Sequence, residues 1–292
     1  MDHYTKLILG LDLHHIANSL MSIMCVLMCI TSCGKTQRVS SQSHTEKVEW
    51  GYETENGPNV WAQLSPEYFL CAEGRHQSPI DLVNPTPAKL PPIPYEYHPT
   101  SMNIRNTGHT IEVACPEGNW IEVDGTRYEL LQFHFHAPSE HTVAGKPFDM
   151  EAHFVHKSED GTLAVVGLLI ESGRHKDAFD PIWSHLPTVP GETQRIENVT
   201  KDGSLIVDPR LMFSPNDQVE DVAPSRFGDY YRYDGSLTTP PCSEGVKWIV
   251  LTTPIEMSEA QIAAFKAIFN GNNRPVQPLN GRKLFMDTNE DG

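Results

Sequence analysis

The chain has 292 residues, 39% hydrophobic and 21% charged, an ordinary globular composition with enough apolar residues for a sizeable core. Its 22 Lys and Arg face 38 Asp and Glu, a net charge of −16 that argues against nucleic acid or an anionic membrane surface as partner. Twenty-three prolines and 20 glycines favour a turn-rich β fold over a helical bundle.

The first element in chain order is Ile16 to Ile30, uncharged and mostly apolar. It is shorter than the roughly 20 residues of a spanning helix, so it reads as the apolar core of a signal peptide. Ile30-Thr31-Ser32-Cys33 resembles the bacterial lipobox, which predicts cleavage after residue 32 and a lipid on Cys33. Plain secretion and a signal anchor are the alternatives. Gln37 to Lys47 is polar and Ser-rich, as a tether would be. The expected organisation is a signal peptide at 1–32, a tether at 33–48, one domain at 49–288 and a short tail at 289–292. No apolar tail closes the sequence, which argues against a C-terminal glycolipid anchor. The predicted location is the periplasm or the outer membrane, with membrane contact only through the lipid.

From Trp50 onward no repeat or low-complexity linker interrupts the chain. Strand-like runs are Ser101–Arg105, His109–Ala114, Trp120–Val123, Glu129–His136, Met150–His156, Leu163–Ile170 and Val246–Thr252, separated by turn signals such as Asp124-Gly125 and Asp202-Gly203. Leu163–Ile170 is continuously apolar, as a strand buried on both faces would be. Asp180–His185 suits a short helix. Ser258 with Gln261 predicts a capping box, Ile262, Phe265 and Phe269 line one helix face, and Gly271 stops the helix. The fold class expected is β-dominated α+β, a single domain on a large, mostly antiparallel twisted sheet with a few short peripheral helices.

The chemistry concentrates in Gln132-Phe133-His134-Phe135-His136 and Glu151-Ala152-His153. Alternation along a strand puts His134 and His136 on one face, and likewise makes Glu151 and His153 share a face of theirs. With 14 histidines in the chain, chance supplies fewer than one His-X-His pair. The pair alone is therefore weak, and its weight comes from its surroundings. Three imidazoles with polar neighbours behind two of them suit a tetrahedral zinc that keeps one position open. His156 is out of phase with His153 and is predicted to face away. Cys71, Cys115 and Cys242 lie in the body and allow one disulfide with one thiol left over; spacing alone does not choose the pair.

Several ordered motifs accompany these strands: Trp50-Gly51-Tyr52, Asn56-Gly57-Pro58, Gln77-Ser78-Pro79-Ile80, Ser139-Glu140-His141-Thr142-Val143, Gly235-Ser236-Leu237-Thr238-Thr239-Pro240-Pro241 and Asn273-Arg274-Pro275. Together they resemble the α-class carbonic anhydrases, exported bacterial type, over nearly all of residues 50–286. The resemblance implies one Zn2+ on His134, His136 and His153, and reversible hydration of carbon dioxide to bicarbonate and a proton by zinc-hydroxide attack. In carbonic anhydrase itself the zinc-bound water has a pKa of about 7. Gln132 and Glu151 would hold the ring nitrogens behind His134 and His153. The resemblance makes Thr238 the hydroxyl that orients the nucleophile, with Glu140 as its partner. Val155, Val165, Leu237, Thr239, Val246 and Trp248 would form the substrate pocket. His109 matches the proton shuttle, and Tyr52 and Asn106 the groups that organise the intervening water. Glu112 departs from the neutral amide of many relatives; facing the cavity, its charge would favour protonated His109. Exported relatives suggest Cys71 with Cys242 as the bridge and Cys115 as the free thiol.

Two further functions compete. A non-catalytic binding module of the same fold is disfavoured by the retention of all three histidines, Glu140 and Thr238. A zinc esterase is expected only as a side activity, because no additional group specific for an ester substrate is present.

Overall fold

The computed structural model describes residues 49–196, 207–214 and 226–288. The predicted signal peptide, tether and tail, with Cys33, lie outside the described residues. Among the described residues thirteen strands form one sheet, mixed but mostly antiparallel, and short helices lie around it. Its strands run in space from Thr86–Ala88 through Phe285–Asp287, Tyr230–Ser236, Glu244–Leu251, Leu163–Ser172 and Met150–Ser158 to Thr126–His136, then Ile111–Ala114, Met102–Asn106 and Thr193–Ile196. Leu163–Ser172 runs parallel to Glu244–Leu251 and antiparallel to Met150–Ser158. Its residues 164–170 are all buried, as the unbroken apolar run requires.

The strand Thr126–His136 decides where the site can be. Tyr128 and Leu130 enter the main core, and so do Phe133 and Phe135, although the two pairs differ in parity. A register shift between Leu130 and Gln132 reconciles them, with Leu131 as the extra, exposed residue. This β-bulge reverses the alternation. Without it, His134 and His136 would follow Tyr128 and Leu130 into the core. Each fully buried phenylalanine is worth about 1.5–3 kcal/mol, so Phe133 and Phe135 hold the shifted register and leave the histidines on the other face.

On that other face a smaller cluster gathers Val155, Val165, Val246 and Trp248, with Leu237 packed against it. Helix Glu259–Lys266 carries the predicted capping box in full, and Phe265 packs on Phe135. It stops earlier than its apolar pattern, because Phe269 lies beyond the Ala267 cap. Asp180–Trp183 forms the second predicted helix. Strand Tyr230–Ser236 is an addition to the sequence reading, its alternation hidden by Arg232, Asp234 and Gly235. Trp61–Leu64, Leu70–Glu73 and Pro209–Phe213 are likewise unpredicted, four or five residues being too short to show a helical period. No helix among the described residues is long and apolar enough to cross a membrane.

Candidate metal centre

Strands Thr126–His136 and Met150–Ser158 pair antiparallel with His134 opposite His153 and His136 opposite Glu151. Residues opposite one another share a face, so the three imidazoles converge, and one ring nitrogen from each lies within 4.8 Å of the others. Behind every ring stands an oxygen. His134 Nδ1 donates to Gln132 Oε1 at 2.9 Å, His153 Nε2 to Glu151 Oε1 at 2.9 Å, and His136 Nδ1 to the carbonyl of Asn272 at 2.7 Å. These oxygens only accept, which fixes the tautomers and leaves His134 Nε2, His136 Nε2 and His153 Nδ1 bare toward the common centre.

Burial holds all three imidazoles below the ordinary histidine value, His134 by a wide margin and His136 at about 4. They are neutral at neutral pH, the state a metal needs. His136 Nε2 is buried without a hydrogen-bond partner, and so is Glu140 Oε2, 3.6 Å away. Two orphaned polar atoms facing one point fit a cation there and nothing apolar. The donor set, three neutral nitrogens, suits zinc.

Glu151 anchors the rear of the centre. Its Oε2 accepts from the Glu140 and His141 amides at 2.9 and 2.8 Å, and its Oε1 from His141 Nδ1 at 2.7 Å. Burial pushes the carboxyl up, but His141 and His153 outweigh it and hold it well below the usual range. Gly167, opposite His153, makes room: a methyl there would sit 3.1 Å from Glu151 Oε1. His141, Glu151 and His153 also satisfy metal-like spacing, but the bonds among them make this a hydrogen-bonded network.

Glu140 Oε1 accepts from the Arg274 amide at 2.8 Å, and burial pushes its pKa up to about 7, against the opposing influence of His153, that amide and the Thr238 hydroxyl. Thr238 therefore stands beside Glu140, although Oε2 has no partner of ordinary hydrogen-bond geometry. Buried Arg274 reaches Gln77 Oε1, the Ser78 carbonyl and the Cys71 carbonyl, so two separate sequence motifs meet at one guanidinium. The Cys71–Cys242 disulfide closes the same corner, tying the N-terminal segment to the loop of Thr238 and Thr239. Cys115 is the free cysteine among the described residues, its thiol pushed up to about 12 by burial. Val155, Val165 and Trp248 form one register row across three strands, and the Trp248 ring lies 4.8 Å from that of His153. The apolar wall thus abuts the nitrogen cluster.

His109 sits on a tight turn in which the Thr107 hydroxyl accepts from the His109 and Thr110 amides. Gly108 takes φ +87°, a conformation that favours glycine. The half-buried His109 ring stacks on Trp50 with centroids 3.7 Å apart, and Trp50 meets Tyr52 and Trp61 edge-on. Tyr52 is pushed well above the ordinary phenol value by burial and by Glu140. Glu112 pairs with His134 across the strands, so it projects on the cavity face. Asn106 supports the turn of His109. It is buried, its amide donates to the Pro187 carbonyl and its oxygen accepts from Gly108, so it shapes the His109 turn and is not presented to cavity water. His156 faces the main core, 2.7 Å from the Tyr97 hydroxyl.

Asn272 is absent from the sequence reading. Its carbonyl holds His136, and its side chain donates to the carbonyls of His109 and Phe135. It adjoins the Asn273-Arg274-Pro275 motif, but nothing local announces a contact 136 residues away. His141 and Arg274 stand in the Ser139–Val143 and Asn273–Pro275 motifs, where nothing local announces their bonds to Glu151 and to Gln77, Ser78 and Cys71.

The profile of the eukaryotic-type carbonic anhydrase family matches residues 56–288. The chain belongs to this family. It is 40% identical over 245 residues to a carbonic anhydrase of Neisseria gonorrhoeae, covering 83% of this chain and 90% of that protein. It is 42% identical to one from a Nostoc species, covering 84% and 88%. The α-carbonic anhydrase of Thermovibrio ammonificans, solved with the inhibitor sulfanilamide, superposes with a TM-score of 0.72 at 42% identity, over 82% of this chain and 99% of that one. Membership makes the protein an enzyme of carbon dioxide hydration.

Proposed function

We propose that the chain is a zinc-dependent carbonic anhydrase in which His134 Nε2, His136 Nε2 and His153 Nδ1 hold the metal. One observation carries this: three bare nitrogens within 4.8 Å, each ring fixed from behind. Zinc in such a nitrogen set acts as a Lewis acid that makes water nucleophilic at neutral pH. The side chains do the rest. Gln132, Glu151 and the Asn272 carbonyl fix the ligand tautomers and ring orientations. Thr238 donates its proton to Glu140, which leaves the hydroxyl oxygen free to accept and so to orient the attacking group. That role needs Glu140 as carboxylate; burial pushes its pKa up, and a cation held by the three imidazoles would favour the ionised form.

Carbon dioxide has no polar handle, and the wall of Val155, Val165, Leu237, Val246 and Trp248 suits it, with Thr239 beside Thr238. His109 takes the released proton and passes it to solvent, a task matched to an imidazole half-exposed on a turn. Its stack on Trp50 supports a defined ring position at the mouth. Tyr52 belongs to the same proton network. A second activity on activated esters follows from the same open centre.

The leader points to export with a lipid on Cys33, and the Cys71–Cys242 bridge is at home in an oxidising compartment. Stopped-flow carbon dioxide hydration with zinc analysis of the same sample tests the proposal, beside His134→Ala. The expected result is one zinc per chain, with metal and activity lost together in the variant, activity by more than about a thousandfold. Full activity without metal would overturn it.

A further inference from the structure

Away from the nitrogen cluster, a cavity of about 630 Å3 is lined by Arg232, Asp234, Lys247, Arg282, Lys283 and Phe285, with Leu90 beside them. Asp234 pairs with Lys247, and Arg232 with Phe285, so these four project from one face of the sheet. Tyr233 pairs with Trp248 and projects from the opposite face, toward the apolar wall of the metal centre. Tyr233 also edges the cavity, with the Arg282 guanidinium over its ring at 5.6 Å and its hydroxyl against His141, so the two sites adjoin through this one side chain.

Charge sets this cavity apart. Four of the chain's 22 Lys and Arg line it, against one of its 38 Asp and Glu, on a protein of net charge −16. Asp124, outside the lining, is forked by Arg232 and lies 3.8 Å from Lys247, serving two cations at once. Arg282 donates to the carbonyls of Gln77, Asp234, Pro278 and Leu279 and packs over the Tyr233 ring, with Glu244 and Asp234 acting on it only through space. Its positive charge is solvated but not cancelled. Lys283 is exposed, with no ion pair among the described residues. Leu90 and Phe285 add an apolar surface, and the volume falls in the range of small-molecule sites, far above what one inorganic ion fills.

We propose that this cavity binds a small organic anion. Lys283 and Lys247 take the oxyanion as mobile point charges, Arg282 supplies a fixed positive field, and Leu90 and Phe285 receive the hydrocarbon part. The chemistry is shared by carboxylates and phosphate esters, and the two are separable by experiment.

Amide shifts of the zinc-loaded protein are followed by two-dimensional NMR during titration with benzoate and, separately, phenyl phosphate. Shifts centred on Gly281, Lys283 and Phe285 are expected, the tighter probe naming the headgroup. Lys247→Gln with Lys283→Gln should weaken that binding by about tenfold, while carbon dioxide hydration stays unchanged as evidence of an intact fold. No shifts at about 10 mM probe, shifts confined to the Thr238 and His109 regions, or equal affinity in the double variant would each overturn the proposal.

Discussion

The candidate centre has two halves built in opposite ways. The nitrogen cluster lies on paired strands in the middle of the sheet, and each of its rings is held from behind by an oxygen. The proposed proton exit lies on a turn, where half-buried His109 rests on Trp50. A metal ligand set loses affinity with every misplaced ring, so it profits from rigidity and burial. A proton carrier must meet both the cavity and the bulk solvent, so it profits from an accessible position. Asn272 joins the two halves, bonding His136 on one side and His109 on the other.

The comparison breaks most visibly at Glu151. Glu151→Gln removes the charge that holds His153 and His141, and zinc affinity measured by chelator competition should fall about 10–100-fold. The buffer dependence of turnover should stay as in the wild type; a change in buffer dependence with zinc affinity intact would show that the halves are not separable. His109→Ala should do the reverse. Turnover in weak buffer is expected to drop by about tenfold or more, with recovery in imidazole buffer and zinc affinity unmoved. Loss that imidazole does not restore would mean that the turn, and not the proton path, is at fault. The smallest effect is expected at Glu112, which shares the cavity face with His134. Glu112→Gln should raise turnover about twofold at neutral pH by easing proton release from His109, and an unchanged pH–rate profile would remove Glu112 from the proton path.

The convergence of His134, His136 and His153, with Gln132 and Glu151 behind two of them, was legible because strand alternation operates within a few residues. The β-bulge at Leu131 was not legible. It arises from competition between two aromatic core positions and the hairpin register, which no local pattern reveals. The partner of His136 was hidden for a related reason, being a backbone carbonyl brought from a distant segment, and carbonyls carry no residue signature. The use of Asn106 is hidden for the same reason: its amide bonds the Pro187 carbonyl and the Gly108 amide, partners fixed by the fold. The short helices and the Tyr230–Ser236 strand depend on tertiary packing for their existence, and the sequence has no period long enough to show them.

X-ray absorption at the zinc edge, on protein loaded with one equivalent of metal, tests the central claim without reference to rate. Three imidazole nitrogens and one oxygen near 2.0–2.1 Å are expected, with one nitrogen lost in His134→Ala. A sulfur scatterer, or an unchanged imidazole count in that variant, would contradict the assignment of the site.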